Sequence, residues 1–374
     1  MSNKKNIKVH LQYPWLFPDS SYYKNLITYP PKDVIYTNYS QPKLKKMKGI
    51  ESQMKFKLIM GIKNFLKSIL SIIGIPNILP VTEGNYDILH CAHCLPITKK
   101  PWIVDTETFN LLGDRGKFCR PIIKKFLLSK NCKKIVAWSE ASKQSIIEAF
   151  PNEKKIIDKI DILHFALPAP KFKKIKHKNL RILFIARWFD SKGGLQTLEI
   201  FDRLTRKYNN LECLFVCYIP KSMKKKYKIK EKYQKNSRIK FIDIMSQERL
   251  FREIYPSCDI FFYPGFGDSY GFAVPEAMSF GLPIVSSRTF AKDELISDGK
   301  TGFLIDMPND WKPYFDMNEK MLNDFFEKTC KLIEDSELRK KMGLVGRKEI
   351  ESGKFSIQKR NKKLRKIYED SILS

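Results

Sequence analysis

Residues 264–287 read PGFGDSYGFAVPEAMSFGLPIVSS. The apolar run Ile260-Phe261-Phe262-Tyr263 leads into this stretch as a strand that ends at about Pro264. A loop with glycines at 265, 267 and 271 follows. A helix is predicted to begin near Val274 or Pro275, because a proline in the first turn lacks only an N–H that has no helical partner there anyway. Pro283-Ile284-Val285-Ser286 then reads as the next strand. A strand, loop, helix and strand in so short a span form an α/β unit, and repetition of that unit implies a parallel sheet.

The same alternation extends on both sides. Leu180-Arg181-Ile182-Leu183-Phe184-Ile185 is a fresh first strand, and residues 211–217 and 239–242 supply two more. Residues 221–235 are charged and read as a solvated helix or loop. Upstream, the lysine-rich segment 171–178 interrupts the pattern and marks a domain boundary. Before it, Ile7-Lys8-Val9-His10-Leu11 alternates as a strand until Pro14, Pro18 and Asp19 break it. Asp87-Ile88-Leu89-His90, Pro101-Trp102-Ile103-Val104-Asp105 and Lys134-Ile135-Val136-Ala137-Trp138 are further strands. Ser139 reads as the N-cap of the helix after the last of these. The final helix starts at about Ser356. Two α/β domains are therefore expected, at 1–172 and 179–354, followed by a C-terminal helix at 355–374.

The chain has 374 residues, with 69 basic and 40 acidic side chains, a net charge of +29. That excess attracts polyanions: nucleic acid, anionic lipid or phosphorylated substrates. Abundant lysine throughout the chain gives a background bias that also accounts for it. No nucleic-acid-binding signature accompanies the charge, so no nucleic-acid partner is expected. No apolar run is long enough to span a membrane, and the polar start Met1 to Lys8 does not read as a signal peptide. Eight cysteines without a regular framework fit a reducing cytoplasm. Residues 54–73 place Leu58, Ile62, Phe65, Ile69 and Ile72 on one helical face and Lys63 and Lys67 on another. This is either an interfacial helix for an anionic membrane or a core helix with solvated lysines.

Two constellations carry chemistry. Asp268 and Glu276 flank the glycine loop with seven residues between them, and carboxylates there suit hydrogen bonds to sugar hydroxyls. Backbone N–H groups around Phe272, Ala273 and Val274, at the helix start, suit an anion. The bland alternative is a capped helix with a solvated acidic first turn. In Phe184-Ile185-Ala186-Arg187-Trp188-Phe189-Asp190-Ser191-Lys192-Gly193-Gly194, a strand delivers Arg187 and a loop delivers Lys192 at a helix start. Two cations and a helix N-terminus make a diphosphate clamp that stabilises a departing nucleoside diphosphate without a metal.

With these residues in view, the chain resembles glycosyltransferase family 4, retaining enzymes of the GT-B fold. Asp268-x7-Glu276 is similar to the family's E-x7-E motif, with Asp in place of the first Glu, and Arg187 to Gly193 is similar to its R-x4-K-G motif. Trp138-Ser139-Glu140-Ala141-Ser142, Asp298-Gly299-Lys300-Thr301-Gly302-Phe303-Leu304, Asp335-Ser336-Glu337-Leu338-Arg339 and Lys354-Phe355-Ser356 also match in family order. The resemblance implies two Rossmann-like domains facing a central cleft, with the last helix crossing back to the N-terminal domain. It implies a nucleotide-sugar donor, a glycan or lipid-linked acceptor, and no cofactor or metal. Arg187 and Lys192 are then expected on the donor diphosphate, Glu276 on the ribose, Asp268 on the transferred sugar, and the backbone of 272–274 on sugar and phosphate.

The N-terminal half departs from the family. Its Gly-Gly loop after the first strand is absent, and Glu107 stands where many members carry a His. His90, read as the end of its strand, and Glu107 are the candidates for an acid–base role. The bland alternative for His90 is a strand-end core histidine. His90-Cys91-Ala92-His93-Cys94 has ligand types for zinc but no second pair with suitable spacing. A metal-dependent single-domain transferase lacks its Asp-x-Asp motif here. A nucleotide-sugar epimerase and a non-catalytic polyanion binder are the remaining alternatives.

Overall fold

The computed structural model describes residues 6–12, 21–39, 61, 76–81, 84–113, 118–309, 311 and 317–373. The amphipathic segment 54–73 and the loop 15–20 lie outside the described residues, Gly61 excepted. The described chain divides into two compact units. One runs up to Ala166 and takes in Lys354–Ser374; the other is Leu167–Gly353.

In the first unit, β1 (Ile7–Gln12), β2 (Val34–Tyr36), β4 (Ile88–Ala92), β6 (Trp102–Thr106), β7 (Cys132–Ala137) and β8 (Ile160–Ile162) form one sheet in the order β2-β1-β4-β6-β7-β8. Every pairing is parallel. β3 (Ile78–Pro80) and β5 (Leu95–Ile97) make a separate parallel pair. β4 and β6 are buried along their whole length, as strands with helices on both faces must be. Ser139 is an N-cap, its side chain accepting from the Ser142 N–H at 3.0 Å. The helix Ser21–Thr28 was not anticipated, although Tyr22, Tyr23, Leu26 and Ile27 fall at helical spacing and are all buried.

β4 continues through Cys91 and Ala92, so His90 lies in mid-strand and not at a strand end. Its side chain is fully buried in a polar network. Nε2 lies 3.1 Å from Asp105 Oδ2 on β6, and Nδ1 lies 2.7 Å from the Tyr368 hydroxyl on the helix Ile357–Leu373. Tyr23 donates to the other Asp105 oxygen at 2.5 Å, and the Tyr36 and Tyr368 hydroxyls are 3.2 Å apart. Burial pushes the Tyr36 and Tyr368 phenols well above their ordinary range, so both stay protonated. Arg360 Nη2 donates to the Tyr29 carbonyl at 2.6 Å, and Arg365 pairs with Asp33 at 2.6 Å. The C-terminal helix is thus fastened to the first unit.

In the second unit, β9 (Leu180–Ala186), β10 (Leu211–Cys217), β11 (Ile239–Ile242), β12 (Ile260–Tyr263), β13 (Ile284–Ser287) and β14 (Gly302–Ile305) pair in parallel in the order β11-β10-β9-β12-β13-β14. The charged segment 221–235 holds two short helices, Lys221–Lys226 and Ile229–Lys232. β14 falls inside the stretch singled out only as a motif. Longer helices, Gly194–Lys207, Glu319–Glu334 and Ser336–Glu351, complete the unit. No helix among the described residues is long and apolar enough to cross a membrane.

Tyr368→Phe leaves a buried His90 nitrogen without its partner. It is expected to lower stability by about 1–3 kcal/mol, read as a lower midpoint in urea unfolding. His164 gives a pH signature. Burial, with Lys354 adjacent, pulls its imidazole down to about 4 from 6.5, outweighing the hydrogen bond to the Trp138 carbonyl. The unfolded chain therefore binds more protons between these values. Stability is expected to fall as pH drops from 6.5 toward 4, by up to about 3 kcal/mol, and to lose this slope in His164→Gln.

Candidate functional site

In the second unit the chain steps outward from β9 to β10 and β11, then returns to place β12 on the other side of β9. Neighbouring loops leave in opposite directions at such a reversal, opening a crevice at the carboxyl ends of the strands. The loop after β9 carries Arg187 and Lys192. The loop after β12 carries Asp268 and leads to Glu276.

These two loops are bonded to each other. Gly265 N–H donates to the Lys192 carbonyl at 3.1 Å and Gly267 N–H to the Ser191 carbonyl at 2.7 Å. Gly193 has φ +76°, and a Cβ there would lie 2.7 Å from Pro264 Cβ and 2.9 Å from Phe266 Cε2. Left-handed backbone and close approach both demand glycine at 193.

Lys192 Nζ lies 2.9 Å from Asp268 Oδ1 and 3.1 Å from the Gly267 carbonyl. The Tyr263 hydroxyl donates to Asp268 Oδ2. Burial pushes the Asp268 carboxyl up, but Lys192, Lys292 and the Tyr263 hydrogen bond prevail and hold it below its ordinary value. A second lysine, Lys292, is fully buried and donates to the Gly265 carbonyl at 2.7 Å. Burial pulls its ammonium down to about 7; Asp268 opposes this and Lys192 adds to it. Lys292 escaped the sequence reading because nothing in Phe290-Ala291-Lys292 separates it from the chain's other lysines.

The helix starts at Ala273, slightly earlier than expected, with Glu276 in its first turn. Glu276 is buried, with Oε1 2.6 Å from Gln247 Nε2 and Oε2 3.0 Å from the Tyr255 hydroxyl. Burial and the Glu276 carboxylate keep Tyr255 well above its ordinary pKa, so it remains a donor. Both carboxylate oxygens are therefore oriented before any ligand arrives. Of the three amides expected to face an anion, that of Val274 is engaged by the Gly271 carbonyl at 2.9 Å. Phe272 is in α conformation and Ala273 opens the helix. A Cβ on Gly271 would lie 3.5 Å from Asp268 Oδ2 and 3.8 Å from Val274 Cγ2, which places Asp268 over the helix start. Arg187 directly follows β9 and is exposed.

In the first unit, Glu107 directly follows β6 and is half-buried. His90 is enclosed in the Asp105 and tyrosine network described above. His93, weighed only as a metal ligand, sits just past β4 with φ +53°, its ring 4.9 Å from that of Trp138. Among the described residues no group of three or more His, Cys, Asp or Glu side chains is disposed to hold a metal ion.

Two Rossmann-like units with these sheet orders define the GT-B class. The structure of Anabaena Alr3699/HepE in complex with UDP and glucose shares the fold, with a TM-score of 0.63 at 12% identity over 96% of this chain and 98% of that one. Residues 168–349, nearly all of the second unit, match the family model of glycosyl transferases group 1. A sucrose synthase of Solanum tuberosum is 33% identical over 157 residues, 41% of this chain and 17% of its own length. The capsular polysaccharide biosynthesis glycosyltransferase CapM of Staphylococcus aureus is 26% identical over 192 residues, 50% of this chain and 45% of its own. The chain thus spans less than half the length of either relative.

Gly193→Ala forces a left-handed alanine against Pro264. It is expected to cost about 2 kcal/mol or more, seen as a lower melting temperature, whereas Gly299→Ala, also at positive φ but facing open space, should lose only the conformational part.

Proposed function

We propose that the chain is a retaining glycosyltransferase that moves a sugar of hexose type from a nucleoside-diphosphate donor to a glycan or lipid-linked acceptor. One observation carries this reading: the switch point of the second unit joins a lysine, a charged Asp268 and a helix start, with Glu276 held close along the same helix. Similarity to a sucrose synthase and to a capsular polysaccharide glycosyltransferase supports the same chemistry.

In this reading the bond from the anomeric carbon to the diphosphate breaks, and the acceptor hydroxyl bonds to that carbon on the same face. The hydroxyl proton passes to the departing phosphate oxygen. Lys192 and Arg187 stabilise the charge that develops on the diphosphate, which suits a metal-independent reaction. Glu276, oriented by Gln247 and Tyr255, accepts from the ribose hydroxyls. Asp268 accepts from hydroxyls of the transferred sugar, and being a methylene shorter than Glu it stays close to its lysines. The backbone of Phe272 and Ala273 lies toward phosphate and sugar, with Val274 completing the wall. Of the first-unit candidates, Glu107 at a strand's carboxyl end is better disposed to assist than His90, whose ring nitrogens are both engaged. A cytoplasmic site, at an anionic membrane face where residues 54–73 would dock, agrees with the +29 charge.

The test is ligand binding by the purified protein. A screen of UDP-, GDP- and ADP-sugars should yield one class that raises the melting temperature, since saturating ligand stabilises the folded state by about 2.7 kcal/mol at a hundred times Kd. Arg187→Ala and Glu276→Ala should each weaken that ligand about tenfold or more, a loss of at least about 1.4 kcal/mol. Unchanged donor affinity and turnover in both variants would refute the assignment.

A further inference from the structure

Two lysines converge on one turn, and only one of them has a role in the reading above. Lys192 approaches from the β9 loop and touches Asp268 and the Gly267 carbonyl. Lys292 approaches from the segment after β13 and, with no exposure to solvent, holds the Gly265 carbonyl. That carbonyl also accepts from the Asp268 N–H at 3.1 Å, so it closes the turn that carries Asp268. Gly265 adopts φ +60°, and a Cβ there would lie 2.6 Å from the Tyr263 ring. The turn is therefore tightly confined, and Lys292 is its buried fastening.

We propose that Lys292 is a positioning residue for the donor site, fixing the turn at 265–268 and remaining as counter-ion to Asp268 when Lys192 turns to the donor's diphosphate. The proposal rests on the donor reading above. Its physical basis is charge balance. One carboxylate lies among two lysines, Lys192 in contact with it and Lys292 acting on it across the turn, so a cation is in excess whenever Lys292 carries its proton, and an arriving anion balances it. If Lys192 were the only counter-ion, each donor bound would leave Asp268 charged, largely buried and without a cation, with only the neutral Tyr263 hydroxyl to hold it, a costly state. With Lys292 beside it, Lys192 can exchange one acceptor for another while Asp268 stays ionised and able to accept from sugar hydroxyls. Burial holds the Lys292 ammonium down, Asp268 lifts it and Lys192 adds a smaller repulsion; the Phe290 ring lies 5.9 Å from the ammonium.

A proton balance follows. Lys292 titrates near neutral pH in the donor-free protein. A diphosphate brings negative charge and draws Lys192 away from Asp268, and both effects favour the protonated form of Lys292. Binding should take up a proton. Affinity should be level below about pH 7 and fall as pH rises through it, because above that pH the ligand must recruit the proton from solution. The diphosphates of nucleotide sugars do not titrate in this range, so the coupling belongs to the protein.

The experiment is calorimetry with UDP-glucose, GDP-mannose and ADP-glucose in two buffers of different ionisation enthalpy, on the wild-type chain and on Lys292→Met. The wild type should take up a proton at pH 7.5, written as a dependence of the heat on the buffer. Lys292→Met should lose that dependence and about tenfold in affinity, with Lys292→Arg regaining affinity but not the pH dependence. Hydrogen exchange gives a second reading without ligand. Lys292→Met should speed amide exchange over 264–272 by about tenfold while the strands β9 and β10 keep their protection. Binding without proton uptake in the wild type overturns the proposal, as does unchanged exchange over 264–272. If none of the three ligands binds, the donor reading fails, and the exchange measurement alone decides whether Lys292 fastens the turn.

Discussion

The second unit depends on two backbone hydrogen bonds that join its two motif loops, from Gly265 and Gly267 to the carbonyls of Lys192 and Ser191. They fix where the lysine and the aspartate meet. Side-chain electrostatics act only after that, because an ion pair between loops free to move would give up entropy for little gain. The loops in turn are where they are because β12 returns to the far side of β9. Gly193 and Gly265, both at positive φ, allow the loops to approach closely enough to bond. Topology, glycine placement and charge are therefore successive requirements, each without effect if the preceding one is missing.

The charges at this point are unbalanced in a directed way. Tyr263 and Tyr255 stay protonated and donate to Asp268 and Glu276, so each acid has an oriented neutral donor. Asp268 also has cations, whereas Glu276 is held by a tyrosine and an amide. An acid flanked by ammonium groups stays ionised beside an incoming polyanion. An acid oriented by an amide and a phenol, one on each oxygen, still has lone pairs left to accept from hydroxyls. The two acids thus sit in different surroundings, Asp268 against a lysine and Glu276 against an amide and a phenol.

Much of this was legible in the sequence. The strands at 211–217 and 260–263 coincide with the apolar runs that announced them, because interior strands of a parallel sheet are apolar on both faces and bounded by breakers, and the edge strand at 239–242 coincides with its own shorter run. The pairing of Lys192 with Asp268 was implied by two motifs that sequence alone could not bring within 2.9 Å. Lys292 was illegible for a physical reason: burial, not identity, distinguishes it, and the carbonyl it holds, that of Gly265, lies 27 residues earlier in the chain. His90 was misplaced by two residues of strand. Cys91 and Ala92 are small and apolar enough to continue β4, which leaves His90 enclosed in mid-strand, its imidazole between Tyr368 and Asp105.

That misplacement shows how a buried polar network differs from a reactive one. Asp105 accepts from Tyr23 and faces His90, while the other His90 nitrogen meets Tyr368, so each imidazole nitrogen already has a fixed partner. A general base needs one nitrogen able to reach a substrate proton. Here that capacity is used to hold the helix Ile357–Leu373 on the sheet of the first unit, with Arg360 and Arg365 fastening the same helix to the chain around β2. The histidine and the C-terminal helix, far apart in sequence, are one structural element. Glu107 and His93, by contrast, stand just past the carboxyl ends of β6 and β4, whereas His90 lies in the middle of β4.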